Sequence, residues 1–518
     1  MKKLLLILWL LPSLAFADDL SKIIYAENRI GYGSKLSEQQ SIRQLGLDQW
    51  IEEQLKGNQD EPDFLQNRIA DLSISKVPVP AMLNQIKAMK QDSEDNKKIV
   101  RTLQAQWVYE TFERDALRAL YSKNQLRERM TWFWFNHFNV DSQKGMVKDF
   151  LADYQENVIH KNALGNFKDL LRATLKSPSM SFYLDNYQNT APDSLLNQKN
   201  QQKNQSLKGI NENYAREIME LHTLGQGQGY TQQDVQELAR ILTGFGFRRD
   251  TGPVNIRKDL QPMVVTDGLF FFDPRRHDFG DKLFMGHTII GSGYPEIEQV
   301  LDILVNNPNT AKNICRELAV YFVDDQPSKK LLNKMTATFL KTHGDIPSTL
   351  RVIFKSEDFW SKVGKNNKFK MPHEYVYSAI RLAYDDIPVT NLTPLWNQIS
   401  NMGETPYGHQ TPDGYGISNK DWVSPDQMEK RFTFSNLFNY RKTNLLNDDE
   451  YTVRSNLVIN KSDATADNQP KFENPVDYEK MMVTIGGSLS DNTKAVLQDA
   501  KPKERIGYLL ASPEMLNK

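Results

Sequence analysis

The sequence predicts a mainly α-helical, multi-helix globular fold with one small β element around residues 263–290. Apolar side chains recur at the three- and four-residue spacing of a helix over long stretches. One such set is Leu103, Trp107, Phe112, Leu117 and Leu120. The next stretch, residues 126–138, is apolar on nearly every helical face, which is typical of a buried helix. Between residues 263 and 290 the pattern changes to short apolar runs around a polar turn, which favours short strands.

Residues 1–17 have the three parts of a cleavable signal peptide. Two lysines precede an apolar run from Leu4 to Leu14, and Ala15-Phe16-Ala17 then offers small residues to a signal peptidase. The alternative is a membrane anchor, but the apolar run is about half the roughly 20 residues that a bilayer span needs. We therefore expect cleavage between Ala17 and Asp18 and a periplasmic or secreted protein without a membrane span in its mature chain.

The mature chain is predicted to contain one helical domain over residues 18–445. An Asn-, Gln- and Lys-rich stretch at 190–209 indicates an exposed polar loop, and the β element at 263–290 is a small insertion. Residues 446–518 are mostly polar, and we expect them to end in a short helix.

Composition excludes several classes of protein. The chain has 64 basic and 65 acidic residues, so its net charge of -1 provides no basic field for nucleic acid. Cys315 is the sole cysteine, which excludes an intrachain disulfide, and its helical surroundings indicate a core residue. The sequence has no P-loop, no G-x-S-x-G elbow and no C-x-x-C-H motif.

Several histidines and carboxylates lie in dense local settings that favour a site. The predicted catalytic residues are His222, His277, Asp278 and Glu217. Glu217 and His222 are five residues apart, so they do not share a helix face as the ligands of an H-E-x-x-H motif do. Both also have structural interpretations, in which Glu217 pairs with an arginine such as Arg240 and His222 caps a carbonyl. His277-Asp278 occupies a turn crowded with ionisable groups, which is costly unless those groups have partners.

These side chains are compatible with two kinds of chemistry. An N and O ligand set of His137, His222, His277 and Asp278 is typical of Zn²⁺ or Fe²⁺ sites, so a divalent metal ion is one expectation. The same groups suit metal-free acid–base catalysis, because histidine titrates near neutral pH. His137 is also a core-histidine candidate, or the axial ligand of a haem.

Four further charged residues are candidates for supporting roles. Arg240 or Lys282 would neutralise negative charge that develops during a reaction. Arg216 lies one residue before Glu217, and Glu374 follows His373 at the predicted start of a helix, after Pro372. The structural interpretation of His373-Glu374 is a favourable electrostatic interaction with the dipole at the start of the helix.

Long motifs make the chain resemble a bacterial family catalogued as domain of unknown function number 1800. They are N-E-N-Y-A-R-E-I-M-E-L-H-T-L-G from Asn211, R-M-T-W-F-W-F-N-H-F from Arg129, the H-D-F-G-D-K turn from His277 and K-x-P-H-E from Lys370. Phe245 departs from the family, which often has tryptophan there. The resemblance implies an exported, mostly helical protein whose relatives often occur beside a sulfatase-like family, but it implies no activity.

Two functions are compatible with these observations. The first is a periplasmic hydrolase, metal-assisted or not, that acts on cell-envelope material. The alternative is a non-enzymatic binding or assembly factor that partners a sulfatase-like exported protein or a surface polymer. A metal measurement on the purified mature chain would discriminate the metal-assisted enzyme from the other forms.

Overall fold

The computed structural model describes residues 20–89, 93–203, 205, 209–249, 252, 256–440, 442–449, 451 and 476–518. The predicted signal peptide, residues 1–17, lies outside the described residues. Within them the fold is mainly α-helical, as the apolar periodicity predicts. No helix in these ranges is both long enough and apolar enough to cross a membrane.

The first half of the described chain is a series of helices. The first spans residues 20–30 (α1). The others are α2 Leu36–Leu45, α3 Leu47–Lys56, α4 Asp63–Asp71, α5 Ser73–Lys76, α6 Val79–Ala88, α7 Glu94–Tyr121, α8 Gln125–His137, α9 Val147–Asp153, α10 Phe167–Lys176, α11 Pro178–Tyr183, α12 Leu195–Gln202, α13 Asn213–Glu220 and α14 Gln232–Ile241. A π-helix, Tyr154–His160, directly continues α9.

The second half contains the strands and the remaining helices. The helices are α15 Glu296–Val305, α16 Pro308–Phe322, α17 Lys329–Lys341, α18 Ile346–Phe354, α19 Glu357–Trp360, α20 Pro372–Tyr384, α21 Thr393–Asn401, α22 Asn419–Trp422, α23 Pro425–Asn439, α24 Tyr478–Ile485, α25 Asp491–Asp499, α26 Arg505–Leu510 and α27 Pro513–Leu516.

The predicted β element is present as two small antiparallel sheets. Strands β1 Phe245–Phe247, β2 Val265–Asp267 and β3 Phe270–Phe272 form one sheet in the order β1-β3-β2. Phe272 of the central strand faces both Phe245 and Val265, and all three residues of β3 are buried. Strands β4 Lys282–Phe284 and β5 His287–Ile289 form a separate hairpin. Strand β1 lies outside the predicted range.

One prediction about a polar segment needs correction. The stretch 190–209, predicted as a loop, contains helix α12, which Ser194 caps by accepting a hydrogen bond from the Asn197 backbone N–H. The segment 446–518 is predicted to end in a short helix, and α26 lies at that place; the described part 476–518 also contains α24, α25 and α27. Leu497, Leu509 and Leu510 of these helices enter a core cluster, because apolar residues at helical spacing need few positions to bury one face.

The buried apolar residues form two large clusters that meet around α7, α8 and α20. The first includes Trp134, Phe135 and Phe138 of the all-round apolar stretch. The second includes Phe112 of α7 and Tyr377 of α20. Helix α20 packs on α7, and α7 packs on α8. A cavity whose lining draws on both clusters therefore lies deep in the protein rather than on a peripheral loop.

Candidate functional site

The predicted residue His277 belongs to a fully buried ion cluster. Its Nδ1 lies 2.8 Å from the carbonyl oxygen of Thr243, and its Nε2 lies 3.0 Å from Glu296 Oε1. Lys282 Nζ lies 2.7 Å from the other Glu296 oxygen, and the side chains of all three ionisable residues are 0% exposed. Because both ring nitrogens of His277 are occupied and no solvent reaches them, these contacts hold the H-D-F-G-D-K turn against α15.

Asp278, Arg240 and Arg216 lie in partly exposed ion pairs. Arg240 Nε lies 2.8 Å from Asp278 and Arg240 Nη1 lies 2.6 Å from Glu237, so Arg240 pairs with these two carboxylates and not with Glu217. Arg216 pairs with Glu212 and Glu220 of its own helix.

Glu217 is half-buried. Its pKa is raised by burial and by the negative charges of Glu220 and Asp413.

His137 connects two of the sequence motifs. Its Nδ1 lies 2.8 Å from Glu317 Oε2, and its Nε2 lies 3.2 Å from the backbone oxygen of His222. Both nitrogens are therefore engaged with protein groups. The described part of the chain contains no group of three or more His, Cys, Asp or Glu that could hold a metal ion. The four expected metal ligands, His137, His222, His277 and Asp278, are thus not assembled there.

His222 is fully buried, and neither of its ring nitrogens has a hydrogen-bond partner among the described residues. The carbonyl of His222, rather than its ring, makes the contact with His137. Burial, with a contribution from the charge of His137, lowers the pKa of His222 well below its ordinary value. The predicted role of this ring as a cap on a carbonyl is wrong.

The unpartnered ring of His222 gives a testable pH dependence. A histidine in an unfolded chain has a pKa of about 6.5. Since the folded pKa is lower, the unfolded chain binds the proton more readily, and the free energy of unfolding falls as pH drops below about 6.5. We expect His222→Leu to remove this loss, so that its Tm changes less between about pH 7.5 and about pH 5.5 than the wild-type Tm does.

A matched control for that measurement is His287→Leu, because His287 is exposed on β5. At about pH 7.5 the His222→Leu variant should be at least as stable as wild type, because a buried polar group without a partner costs about 1–3 kcal/mol. Equal acid sensitivity of both variants and wild type would contradict the assignment.

A cavity between α7, α8, α20 and the segment 403–416 carries a different set of ionisable groups. Its volume is about 80 Å³, which is below the roughly 300–1,000 Å³ of sites for drug-sized ligands. Seven aromatic side chains line it: Tyr32, Phe112, Trp132, Phe135, Tyr377, Tyr407 and Tyr415. The ionisable groups on its wall are Asp115, Glu128, Glu404 and His373. No lysine or arginine in the described ranges lines it.

His373 and Glu404 form a carboxylate–imidazole dyad at the start of α20. Glu404 Oε1 lies 2.7 Å from His373 Nδ1, and Glu404 Oε2 accepts a hydrogen bond of 3.0 Å from the His373 backbone N–H. A carboxylate at a helix N-terminus is stabilised in its ionised form, so it can only accept, and Nδ1 is the donor. His373 Nε2 is buried and has no hydrogen-bond partner among the described residues. It is therefore left as a proton acceptor at the cavity.

The sequence places His373 there through local helix signals. Pro372 occupies the first turn of α20, and Glu374 accepts a hydrogen bond of 2.9 Å from the Met371 backbone N–H. The expected helix-start role of Glu374 is thus present. The ring of His373 stacks on Trp132 with centroids 4.3 Å apart and meets Tyr32 edge-on, which fixes its orientation.

Two carboxyl groups on the opposite wall have opposite pKa shifts. Burial raises the pKa of Asp115 to about 6, against the lowering by the charge of Arg114 and the hydrogen bond from Tyr407. Burial also acts to raise the pKa of Glu128, but the charge and hydrogen bond of His160 and the charges of Arg118 and Arg127 together outweigh it, and that pKa is lowered. Neighbouring carboxyls whose pKa values are driven apart are the usual source of an acid and an anion in one site.

Tyr377 lies between the dyad and Asp115. Burial and then the charges of Asp115 and Glu404 raise the pKa of its hydroxyl. Its ring meets those of Tyr32 and His373 edge-on, at 5.3 and 6.1 Å between centroids. The hydroxyl therefore stays protonated and is close to both acidic groups.

Behind the dyad is a buried ion cluster. Arg129 Nη2 lies 2.7 Å from Glu374 Oε1, and Lys518 Nζ also contacts that oxygen. All three side chains are about 1% exposed. The guanidinium of Arg129 lies over the rings of Tyr32 and Tyr321, at 5.2 and 4.8 Å. This cluster fixes the N-terminus of α20, on which His373 is carried.

A family model described as protein of unknown function (DUF1800) matches residues 26–517. The chain belongs to this family. No curated protein and no solved structure matches the chain. The fold and the cavity of this DUF1800 protein therefore have to be interpreted from their own chemistry.

The W-F-W-F-N-H-F motif of this DUF1800 chain builds one side of the site. The amide of Asn136 donates a hydrogen bond of 2.9 Å to the Tyr415 carbonyl and accepts one of 2.7 Å from the Tyr415 backbone N–H. Asn139 donates to the carbonyls of His409 and Thr411. Two side chains thus clamp the backbone of segment 403–416, which carries Glu404 and Tyr407.

Gly414 and Tyr407 of the same segment both have a positive φ, a backbone conformation that favours glycine. Gly414 has φ +68°, and a Cβ there would lie 2.2 Å from the Asn136 carbonyl oxygen, so only glycine fits. Tyr407 has φ 55°, which is strained for a residue with a side chain. Its carbonyl accepts a hydrogen bond of 2.8 Å from Ser142 N–H, and its hydroxyl donates one of 2.5 Å to Asp115. The strain persists because these contacts hold Tyr407 at both ends.

The clamp predicts a local effect of Asn136→Ala. Loss of two hydrogen bonds to partly buried backbone should lower the free energy of unfolding by about 1–3 kcal/mol. The segment 403–416 should become the first site of proteolytic cleavage under native conditions. Asn162→Ala is the control, since it removes one hydrogen bond to the Val158 carbonyl, away from this segment. Unchanged cleavage of segment 403–416 in Asn136→Ala would show that the clamp does not hold it.

Proposed function

We propose that this chain is an exported hydrolase whose active site is the aromatic cavity and whose central groups are His373, Glu404 and Asp115. The observation that carries the proposal is the His373 ring. One nitrogen is held by a carboxylate, and the other is buried at the cavity without a hydrogen-bond partner in the part of the chain that the structure describes. A carboxylate that orients an imidazole in this way is the arrangement by which histidine serves as a general base.

The groups have distinct roles in this proposal. His373 Nε2 takes a proton from a water molecule as it attacks the substrate, and Glu404 stabilises the imidazolium that forms. Asp115, with a pKa of about 6, donates a proton to the leaving group. Glu128 stays ionised and stabilises positive charge that develops in the transition state. The hydroxyl of Tyr377 donates a hydrogen bond to the substrate.

This assignment replaces the catalytic set expected from sequence. His277 has both ring nitrogens occupied, and Asp278 is committed to Arg240, so neither presents a free group to a cavity. Export remains part of the proposal and is supported by the signal-peptide pattern of residues 1–17. Cell-envelope material is then the substrate source available to the protein.

The proposal is tested by the release of soluble fragments from purified cell envelopes, followed by mass spectrometry. Wild-type protein should release fragments, while Asp115→Asn should release at least about 100-fold less, as expected for loss of a general acid. Turnover should fall about tenfold per pH unit above about pH 6, because only protonated Asp115 can donate. Asp193→Asn, an exposed aspartate, is the control. Fragment release that is equal in wild type and Asp115→Asn would contradict the role of Asp115.

A further inference from the structure

We infer that the substrate group held in the aromatic cavity is a short acyl group, acetyl in size, which the substrate carries as an ester or an amide. This inference rests on the proposed function and names the substrate class of the same site. It follows from the volume of the cavity, from the way exposure changes along its wall, and from the polar groups around His373.

The volume of the cavity limits the size of the group that enters it. The cavity measures about 80 Å³. An apolar cavity of about 150 Å³ holds one benzene molecule, and a single water molecule needs about 10–15 Å³. On this scale the cavity accommodates about three non-hydrogen atoms together with one water molecule. An acetyl group and the water that attacks it match this content, so the rest of a larger substrate has to remain outside.

Exposure along the wall separates a mouth from a buried end. Thr405 is exposed, and Trp132 and Tyr415 are partly exposed, so the cavity meets solvent at these side chains. Phe112 and Ile399 are each 2% exposed and form part of its buried end. Burial of a methyl group against such apolar side chains is favourable. This arrangement suits an acyl group whose methyl end points inward and whose ester or amide bond lies nearer the mouth.

The polar groups on the wall match the needs of acyl hydrolysis. His373 Nε2 is an acceptor for the proton of the attacking water. The hydroxyl of Tyr377, which burial keeps protonated, is a donor for the acyl oxygen. Asp115 accepts a hydrogen bond from the hydroxyl of Tyr407, a partly exposed residue of segment 403–416. The general acid therefore lies beside the segment at the mouth, where the leaving group has to be.

The hydrolytic step is balanced by these groups. The oxygen of water bonds to the acyl carbon, and the proton that it loses passes to His373 Nε2. The bond between the acyl carbon and the leaving oxygen or nitrogen then breaks, and the leaving atom takes the proton of Asp115. A carboxylic acid and an alcohol or amine are released. His373 returns its proton to solvent and Asp115 recovers one, so water is the only co-reactant.

Phosphoryl transfer is the competing chemistry for a small group, and the wall favours it less. Its transition state spreads negative charge over three oxygens, which enzymes commonly stabilise with cationic groups such as arginine and lysine side chains. No lysine or arginine in the described part of the chain lines the cavity. A single charge that develops on an acyl oxygen needs fewer donors, and Tyr377 supplies one. Phosphoryl transfer is therefore a comparison in the test.

The experiment measures kcat/KM of the full chain near pH 6 on small substrates that differ in the transferred group. Chain length is varied from acetyl to butyryl and hexanoyl, in nitrophenyl esters and in nitroanilides, and nitrophenyl phosphate is the phosphoryl comparison. We expect turnover of the acetyl compound in at least one of the two series, which identifies the linkage. In that series kcat/KM of the hexanoyl compound should be at least about 100-fold lower, because extra methylene groups do not fit a filled cavity.

The Ile399→Ala variant tests the buried end directly. Its smaller side chain leaves room for a longer acyl group, so the ratio of butyryl to acetyl kcat/KM should rise at least about tenfold. A ratio measured within one preparation is unaffected by the fraction of protein that fails to fold. Ile485→Ala is the matched control, because Ile485 is buried in the same apolar cluster but does not line the cavity. Its ratio should equal that of wild type.

Equal turnover of all chain lengths would overturn the inference, and so would no turnover of either acetyl compound or faster turnover of the phosphate. Release of envelope fragments without turnover of an acetyl compound would refute the acyl class and leave the hydrolase intact. Acetyl selectivity that Ile399→Ala shifts, with an unchanged rate in Asp115→Asn, would refute the proposed catalytic groups and leave the acyl site intact.

Discussion

Replacing His373 with asparagine is expected to lower turnover on cell-envelope material by a factor of about 10²–10⁴, the usual contribution of a positioned general base. The variant should fold normally, because an asparagine amide can still donate to Glu404 from nearly the position of Nδ1. The measurement pairs the rate of fragment release with the Tm of the same preparation. A large loss of rate at nearly constant Tm is the outcome expected for a catalytic group.

The matched control is His343→Asn. His343 is exposed and has φ 52°, a backbone conformation that asparagine tolerates well, so this variant should keep both rate and stability. If His373→Asn instead releases fragments at the wild-type rate, His373 is a structural residue and the dyad takes no part in catalysis.

Arg129→Met is expected to have the largest effect on stability, lowering the free energy of unfolding by about 3–5 kcal/mol. Arg129 and Glu374 are both about 1% exposed, and their ion pair is 2.7 Å long. Removal of the guanidinium leaves the Glu374 carboxylate with Lys518 as its remaining ion-pair partner among the described residues, in a site where an unpaired charge is costly. Urea unfolding of purified protein measures this loss directly.

The surface pair Lys97–Glu94 provides the comparison for this prediction. Both side chains are well exposed, so Lys97→Met should change stability by no more than about 0.5 kcal/mol. The double variant Arg129→Met with Glu374→Gln should be less destabilised than the sum of its single variants, because the two residues interact directly. A cost below about 1 kcal/mol for Arg129→Met would contradict the buried-pair account.

Helical periodicity predicted the architecture because it reports burial of one helix face, and burial is what forms this core. The strands were harder to locate. Strand β1, Phe245–Phe247, is three residues long and begins shortly after α14 ends, too short for a period-two pattern. Likewise α12 has low apolar content, and its helix is marked only by the cap at Ser194.

The candidate site was not predictable from spacing. His373 and Glu404 are 31 residues apart in sequence, and Asp115 lies on a different helix altogether. The dense sequence motifs around His222 and His277 favoured a site there, but the rings of both residues are buried in the core. A motif rich in ionisable residues can form a buried ion cluster as well as an active site. The contacts of Glu296 with His277 and Lys282 are such a cluster. The K-x-P-H-E motif is the sequence feature that points to this site, because it places His373 at a capped helix start.

The most direct test of the central assignment is a crystal structure of the His373→Asn variant with a soluble fragment that wild-type protein releases from cell envelopes. We expect ligand density in the aromatic cavity, with a ligand polar group or bridging water at about the position that His373 Nε2 occupies in wild type, within the roughly 2.6–3.2 Å reach of Glu404 or Tyr377 that hydrogen bonding allows. Ligand density elsewhere, at the H-D-F-G-D-K turn or beside His222, with an empty aromatic cavity, would contradict it.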